Sequence, residues 1–281
     1  MKRPPGARPR ARKRFGQHFL MDAEARAAIA DLVRPAPDDL VLEIGPGRGA
    51  ITAPLLDRLD RLVAVEIDRR LAGQLRSRFP DPPLRLIEGD VLRLDLAALP
   101  GEEGRRCLFV VGNLPYDITA PVLFRLREHA GLVRRAVLTL QKEVAERLVA
   151  APGSRRYGRL TVMLNQCARI DLARQIPPTA FRPVPRVDSA VVDIEFLPGR
   201  VSVVDMGRFE QIVKVAFAQR RKMLRNALAA LPSPGPEGGA VAPGRLADLA
   251  GRARIDLTRR AENLSVHDYA RLTGVWAESA A

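Results

Sequence analysis

This chain is poor in cysteine and has no long apolar run. Its 281 residues include two cysteines, one tryptophan and three histidines, and aromatic residues make up 5%. Cys107 and Cys167 both sit in apolar, strand-like contexts, which reads as two buried thiols and excludes a disulfide framework. No metal-ligand spacing is present, so no metal centre is expected. No uninterrupted apolar stretch approaches the roughly 20 residues that a membrane-crossing helix needs. The basic N-terminus also lacks the apolar block of a secretory signal. A cytoplasmic protein with no membrane partner is the expectation. Lysine is scarce too: Lys2, Lys13, Lys142, Lys214 and Lys222 are all there are, so nearly all of the 46 basic residues are arginine. Genome composition and the fork that arginine offers to phosphates both account for such a bias.

What the chain does have is positive charge. The net charge is +14, and seven of the cations (Lys2 to Arg14) precede the first acid, Asp22, which leaves half of the excess for the rest of the chain. Basicity of this size favours a polyanionic partner, with a membrane surface as the weaker option. At 47% hydrophobic residues the sequence is globular, long enough for one full domain and a smaller one. Residues 1–14, with prolines among the arginines, read as a basic disordered arm.

From there the pattern is α/β. Asp22 can cap a helix over Ala23–Val33. Val41–Ile44 is a strand that runs straight into Gly45-Pro46-Gly47-Arg48-Gly49 and a helix from about Ala50 to Leu59. Such a turn lets a ligand approach the backbone and meet a helix N-terminus. Its spacing is not G-x-G-x-x-G and no lysine follows, so a nicotinamide fingerprint and a P-loop are both disfavoured. Leu62–Asp68 is a second strand; its Glu66 suits ribose hydroxyls, while Asp68 starts the next helix and suits a cap. Leu84–Asp90 is a third, whose Asp90 is either an acceptor for an adenine amine or a plain turn residue. The buried strand Cys107–Val111 then leads into Gly112-Asn113-Leu114-Pro115-Tyr116. Glycine turn, acid, acid and amide at successive strand ends form a constellation at the edge where open α/β sheets bind ligands, and it reads as a site for an adenosine-bearing cofactor.

Asn113-Leu114-Pro115-Tyr116 suits methylation of an exocyclic amine, although the same residues are ordinary turn formers. The lone pair of such a nitrogen is delocalised into its ring. Asn113 Oδ1 and a backbone carbonyl, that of Leu114, can accept its N–H groups and turn the lone pair outward. Pro115 stiffens the loop and Tyr116 can stack on a splayed-out base. Further on, helices are expected at Ala120–Arg127 and Lys142–Ala150 and strands at Arg135–Leu140, Arg169–Leu172 and Ala190–Phe196. Leu160–Cys167 reads as helical or extended. The proline-dense loop Ile176–Ser189 carries one aromatic read as exposed, Phe181, as a packing anchor or as the second face of a base sandwich. After Leu197-Pro198-Gly199 the chain becomes helical, at Arg208–Ala218, Arg221–Leu231, Pro243–Arg252 and Ser265–Ala277. Arg155, Arg156, Arg220, Arg221 and Lys222, with Arg12, Lys13 and Arg14 of the arm, are the candidate phosphate contacts. The expected domains are 15–199 and 200–281.

Taken together, Phe15–Leu20, Glu43–Gly49, Val65–Asp68, Gly89-Asp90, Asn113–Tyr116, Phe181-Arg182-Pro183, Val187-Asp188-Ser189 and Gln219–Asn226 resemble the KsgA-type ribosomal RNA adenine N6-dimethyltransferases. The likeness covers nearly the whole chain in the family's order. It implies a Rossmann-like S-adenosylmethionine-dependent methyltransferase domain, mostly parallel sheet with helices on both faces, plus a small C-terminal all-helical domain that binds RNA. His18, Leu20, Gly45, Gly47, Glu66, Asp90 and Asn113 would hold the cofactor, and Asn113, Leu114, Pro115, Tyr116 and Phe181 the target adenine. The implied reaction dimethylates N6 of two adjacent adenosines in the 3′-terminal hairpin of 16S rRNA, in the 30S small ribosomal subunit, with a role in subunit biogenesis and the enzyme a monomer. The rivals are a large-subunit rRNA methyltransferase of the macrolide-resistance type, a non-catalytic ribosome-assembly factor on the same scaffold, and a DNA amino-methyltransferase. Deleting residues 1–14 should weaken RNA binding and flatten its salt dependence with cofactor binding unchanged; an unaltered salt slope in a titration would refute a role for the arm.

Overall fold

Strand formation here follows burial: all six positions of Asp39–Ile44 are inaccessible, as continuous apolar runs in parallel sheets tend to be. The computed structural model describes residues 17–79, 81, 83–233 and 239–279. The arm at 1–14, with Arg12, Lys13 and Arg14, lies outside them. In chain order the first elements are β1 (Phe19–Leu20), α1 (Ala23–Leu32), β2 (Asp39–Ile44), α2 (Thr52–Leu56), β3 (Leu62–Glu66), α3 (Arg69–Arg78) and β4 (Leu84–Glu88). Then come α4 (Ala98–Glu102), β5 (Cys107–Asn113), α5 (Thr119–Glu128), β6 (Val133–Gln141), α6 (Lys142–Leu148) and α7 (Arg159–Asn165). The chain continues with β7 (Ala168–Ile176), β8 (Phe181–Arg182), β9 (Ser189–Phe196), α8 (Met206–Ala218), α9 (Leu224–Leu228), α10 (Pro243–Arg252) and α11 (Val266–Glu278).

Seven strands form one sheet in the order β4-β3-β2-β5-β6-β9-β7. The pairs from β4 through β6 are parallel, and β6 with β9 is antiparallel. The strand order reverses between β2 and β5, the switch point where α/β sheets leave a crevice beyond the carboxyl ends. Register aligns those ends: Ile44 lies beside Val65 and Gly112, and Glu66 beside Glu88. A Cβ on Gly112 would sit 2.7 Å from the Ile44 carbonyl, so glycine is what lets β5 lie this close to β2. Ile29, Val41, Leu55, Phe109, Val111 and Val137 pack in the core beside the sheet. Asp22 caps α1 by accepting from the Ala25 N–H at 2.7 Å, and Asp68 caps α3 through Arg70 N–H at 3.0 Å.

The chain divides into two compact units. One runs through Ala145 and resumes over Ile170–Phe196; the other takes Glu146–Arg169 and resumes at Leu197. The second junction lies near the expected 199/200 boundary, but residues 146–169 cluster with the helices instead of the sheet. The reason is burial and hydrogen bonding: α7 hides Thr161–Leu164, and the Gln166 and Cys167 carbonyls accept from Val201 and Leu197 N–H. The segment left open at Leu160–Cys167 is therefore helical through Asn165. Within this unit α8 presents Phe209, Ile212, Val213 and Ala216 as one buried face. A Ser265/Asp268 capping box starts α11, which buries Tyr269, Leu272 and Trp276.

The helix expected over Arg221–Leu231 is shorter, at Leu224–Leu228. Residues 219–222 turn, and Met223 is extended and bridges to Arg260, so the helix cannot start earlier. The expected helix over Ala50–Leu59 likewise contracts to Thr52–Leu56.

Replacing Gly112 by alanine should cost about 1–3 kcal/mol, as overpacking does, because the obstacle is backbone and not a flexible side chain. Urea unfolding of the two proteins measures it, and equal midpoints would show that β5 can move aside freely.

Candidate functional site

Every cofactor and target residue expected from sequence lines one cavity of about 350 Å3: His18, Leu20, Gly45, Gly47, Glu66, Asp90, Asn113, Leu114, Pro115, Tyr116 and Phe181. The strand ends supply most of them. Gly45 has φ +65, and a Cβ there would meet nothing within 4 Å. The backbone conformation asks for glycine, and the space beside it is open to a ligand. Glu66, 3% exposed, accepts from Gly47 N–H through Oε2 at 3.0 Å and from Asp68 N–H through Oε1 at 2.9 Å. Burial pushes its carboxyl above the usual range, and those two N–H groups oppose the shift. Asp90 accepts from Leu92 N–H at 2.9 Å.

One wall comes from a short two-stranded pairing of β1 with β8, Phe19 opposite Arg182 and Leu20 opposite Phe181. His18 immediately precedes it. Its main-chain carbonyl accepts from Asn113 Nδ2 at 3.0 Å, and its Nδ1 lies 2.8 Å from the Pro183 carbonyl oxygen. The His18 ring stacks on that of Tyr116, with centroids 5.6 Å apart. The Tyr116 hydroxyl lies 3.3 Å from Ser189 Oγ. Leu114 is buried, its N–H bonded to the Thr139 carbonyl. The Pro115 carbonyl accepts from Ile118 N–H and the Thr119 hydroxyl, which leaves that of Leu114 outside this helix start.

Phe181 corrects an expectation. It is not an exposed aromatic: it is 1% exposed and belongs to the hydrophobic core. Pairing with Leu20 in β1 draws it inward. It still forms part of the cavity wall, but the ring found stacked on Tyr116 is that of His18.

Among the basic residues, Arg155, Arg156, Arg221 and Lys222 are exposed, and Arg156 pairs with Glu146 at 3.0 Å. Arg220 is engaged within the protein. Its Nε donates to Glu262 at 2.6 Å, and one terminal nitrogen, Nη2, donates to the carbonyls of Ser154 and Arg155. These partners tie Arg220 into the protein, and a phosphate would have to share it with Glu262.

Sequence reasoning passed over Glu43. This residue of β2 lines the cavity, is 1% exposed and accepts from the Thr52 hydroxyl at 2.7 Å. Burial pushes its carboxyl up to about 7, partly offset by Thr52, with the neighbouring Glu66 adding to the rise. The available signal was a charged residue inside the apolar run Val41-Leu42-Glu43-Ile44.

Residues 8–275 match the ribosomal RNA adenine dimethylase family. The chain belongs to that family. It is 45% identical over 263 residues, 93% of this chain and 90% of the relative, to the ribosomal RNA small subunit methyltransferase A of Leptothrix cholodnii. It is 46% identical over 276 residues, 98% of each, to that of Bordetella petrii. Among solved structures it resembles a dimethyladenosine transferase from Plasmodium falciparum, with a TM-score of 0.76 at 23% identity over 91% of this chain and 96% of that one. That likeness speaks to the fold alone. It also resembles the 23S rRNA methyltransferase ErmE, with a TM-score of 0.67 at 26% identity over 92% and 98% of the two chains. The fold is thus that of a Rossmann-like methyltransferase with a C-terminal helical part, and the chain is an rRNA adenine dimethyltransferase. The non-catalytic and large-subunit alternatives are not favoured, since the relatives at 45% and 46% identity are small-subunit methyltransferases by name.

The Glu43 carboxyl rises from 4.5 to about 7 on folding, so the folded chain binds the extra proton. Its contribution to stability is complete below about 4.5, falls as pH rises and levels off above about 7. Glu43→Gln should remove about 3 kcal/mol of that decline, at 1.36 kcal/mol per unit. Urea midpoints at pH 5 and 8 read it directly, and parallel pH profiles for the two proteins would sink it.

Proposed function

We propose that this chain transfers methyl groups from S-adenosylmethionine to N6 of two adjacent adenosines, dimethylating each, in the 3′-terminal hairpin of 16S rRNA of the small ribosomal subunit. The observation that carries this reading is the bond from Asn113 Nδ2 to the His18 carbonyl. It commits the donor end of the amide to the protein and leaves Oδ1, a pure acceptor, for an N–H of the target amine. With the Leu114 carbonyl as second acceptor, the amine's lone pair is turned away from both. Asn113, Leu114, Pro115, Tyr116 and Phe181 thus form the target pocket. Tyr116 offers its ring to the base, steadied at its hydroxyl by Ser189, and buried Phe181 supplies apolar wall. The base must share or displace the contact that Tyr116 makes with His18.

The cavity fits the cofactor. The Glu66 carboxylate accepts backbone N–H groups through both oxygens and keeps lone pairs for a ribose hydroxyl. Gly45 leaves room along the backbone, Gly47 packs beneath the Phe19 ring, Asp90 would accept from the adenine amine, and His18 and Leu20 close the opposite wall. Bound there, S-adenosylmethionine would supply a sulfonium methyl electrophilic enough that no general base is needed before transfer.

The C-terminal helical unit, with Arg155, Arg156, Arg221 and Lys222 exposed, would hold rRNA phosphates, as would Arg12, Lys13 and Arg14. The enzyme would act as a monomer. It would act in the cytoplasm on the 30S particle, contributing to subunit biogenesis.

The test is mass spectrometry of adenosines in unmethylated small-subunit particles after incubation with the protein and labelled donor, with Asn113→Ala alongside. N6,N6-dimethyladenosine at two adjacent 3′-terminal positions, lost in the variant, is the expected result. Label in large-subunit RNA instead, or no transfer at all, would overturn it.

A further inference from the structure

A second cavity, of about 410 Å3, shares Phe19, Leu20 and Ala50 with the first as a common wall. Arg26 of α1, Arg48 of the glycine turn and Arg78 at the end of α3 also line it, and no carboxylate does among the described residues. Arg26 donates to the main-chain carbonyls of Met21 at 2.6 Å and Asp22 at 3.2 Å. Arg78 donates to the Arg48 carbonyl at 3.2 Å and lies 4.7 Å from the centre of the Phe79 ring. These partners fix the direction of both side chains without cancelling their charge. The Arg48 guanidinium lies 4.2 Å from the centre of the Phe19 ring. Three guanidinium groups thus stand around an apolar floor, in a pocket that differs from an ordinary solvated surface by being concave and one-signed.

We infer that this cavity seats a backbone phosphate of the RNA substrate. Guanidinium forks bond pairs of phosphate oxygens, side chains already held lose less entropy on binding, and the apolar floor accommodates a ribose. The inference rests on ribosomal RNA being the substrate. The position gives the contact a purpose. The shared wall is β1, and the residue before it, His18, holds Asn113 through its carbonyl. A phosphate seated here registers the RNA strand against the reacting amide from one wall away, as backbone contacts do, without reading sequence. None of these three arginines lies in the basic stretches at the N-terminus, residues 154–159 or residues 219–226.

The experiment measures binding of 16S rRNA across a salt series by the wild-type protein, the R26Q/R78Q pair and the R26K/R78K pair. Melting temperature and S-adenosylmethionine affinity are followed in each. The glutamine pair should bind more weakly and lower the slope of log affinity against log salt by about 1, since each lost phosphate contact removes roughly 0.7–0.9. The lysine pair, which keeps the charges, should keep the slope, and cofactor affinity should match wild type throughout. An unchanged slope in the glutamine pair overturns the inference. So does a slope lost equally in the lysine pair, which would mark a structural effect. Should the glutamine pair melt early, R78Q and R26Q singly give the same reading. A wild-type protein that methylates rRNA while the glutamine pair keeps its slope refutes the cavity alone; a wild-type protein that neither binds nor methylates rRNA refutes the substrate, and the cavity with it.

Discussion

Two parallel strands that meet with no side chain between them set the rest of this site. Where β5 passes β2, Gly112 lies against the Ile44 carbonyl so closely that a methyl group would not fit. That contact holds the carboxyl ends of β2 and β5 level at the point where the strand order turns back. Loops leaving the two ends run apart, and the crevice between them receives a glycine turn from one side and an asparagine from the other. The crevice in turn exposes a cost. Its floor includes Glu43 and Glu66, two buried carboxyls whose affinity for protons is raised by burial, with Glu66 adding to the rise at Glu43. Backbone N–H groups and the Thr52 hydroxyl compensate them.

Much of this was legible in the chain, because fully buried strands write themselves as apolar runs. Val41–Ile44, Leu62–Val65 and Cys107–Val111 needed no partner to be recognised, and the polar residues that follow such runs mark a crevice by position alone. What was not legible depends on partners distant in sequence. The strands β1 and β8 are two residues each, too short for any periodicity, and exist only because they pair. Without that pairing Phe181 reads as a loop aromatic; with it, Phe181 is core. Arg220 reads as a phosphate ligand until Glu262 is placed beside it. The helix start at Arg221 fails for the same reason, since Met223 is drawn into a bridge with Arg260. Residues 146–169 follow the sheet in sequence yet bury their apolar side with the helices.

The charge count needs the same correction. Arg61 pairs with Glu103 and Asp81, Arg85 with Glu102 and Glu103, and Arg134 with Asp38 and Asp39. These arginines hold strand ends and loops together. Net charge draws a polyanion toward the chain from a distance, and the cations left without an acid are the freest to keep it there. Exposed Arg221 and Lys222, with Arg26 and Arg78 of the second cavity, meet that condition better than any tally of basic residues would suggest.

The pairing of Leu20 with Phe181 also gives the enzyme an order of assembly. The glycine turn, the two acids and the asparagine are all contributed before the middle of the chain, by neighbouring parallel strands. The wall that closes them in waits for a segment that is synthesised much later, and joining such remote residues carries the loop-closure cost of long-range contacts. A nascent chain that has not yet delivered Phe181 therefore has an open ledge of polar strand ends and no enclosed pocket. The enclosed pocket arrives as a late step in making the protein, after the parallel strands β2 to β6 have been synthesised and before β9 is.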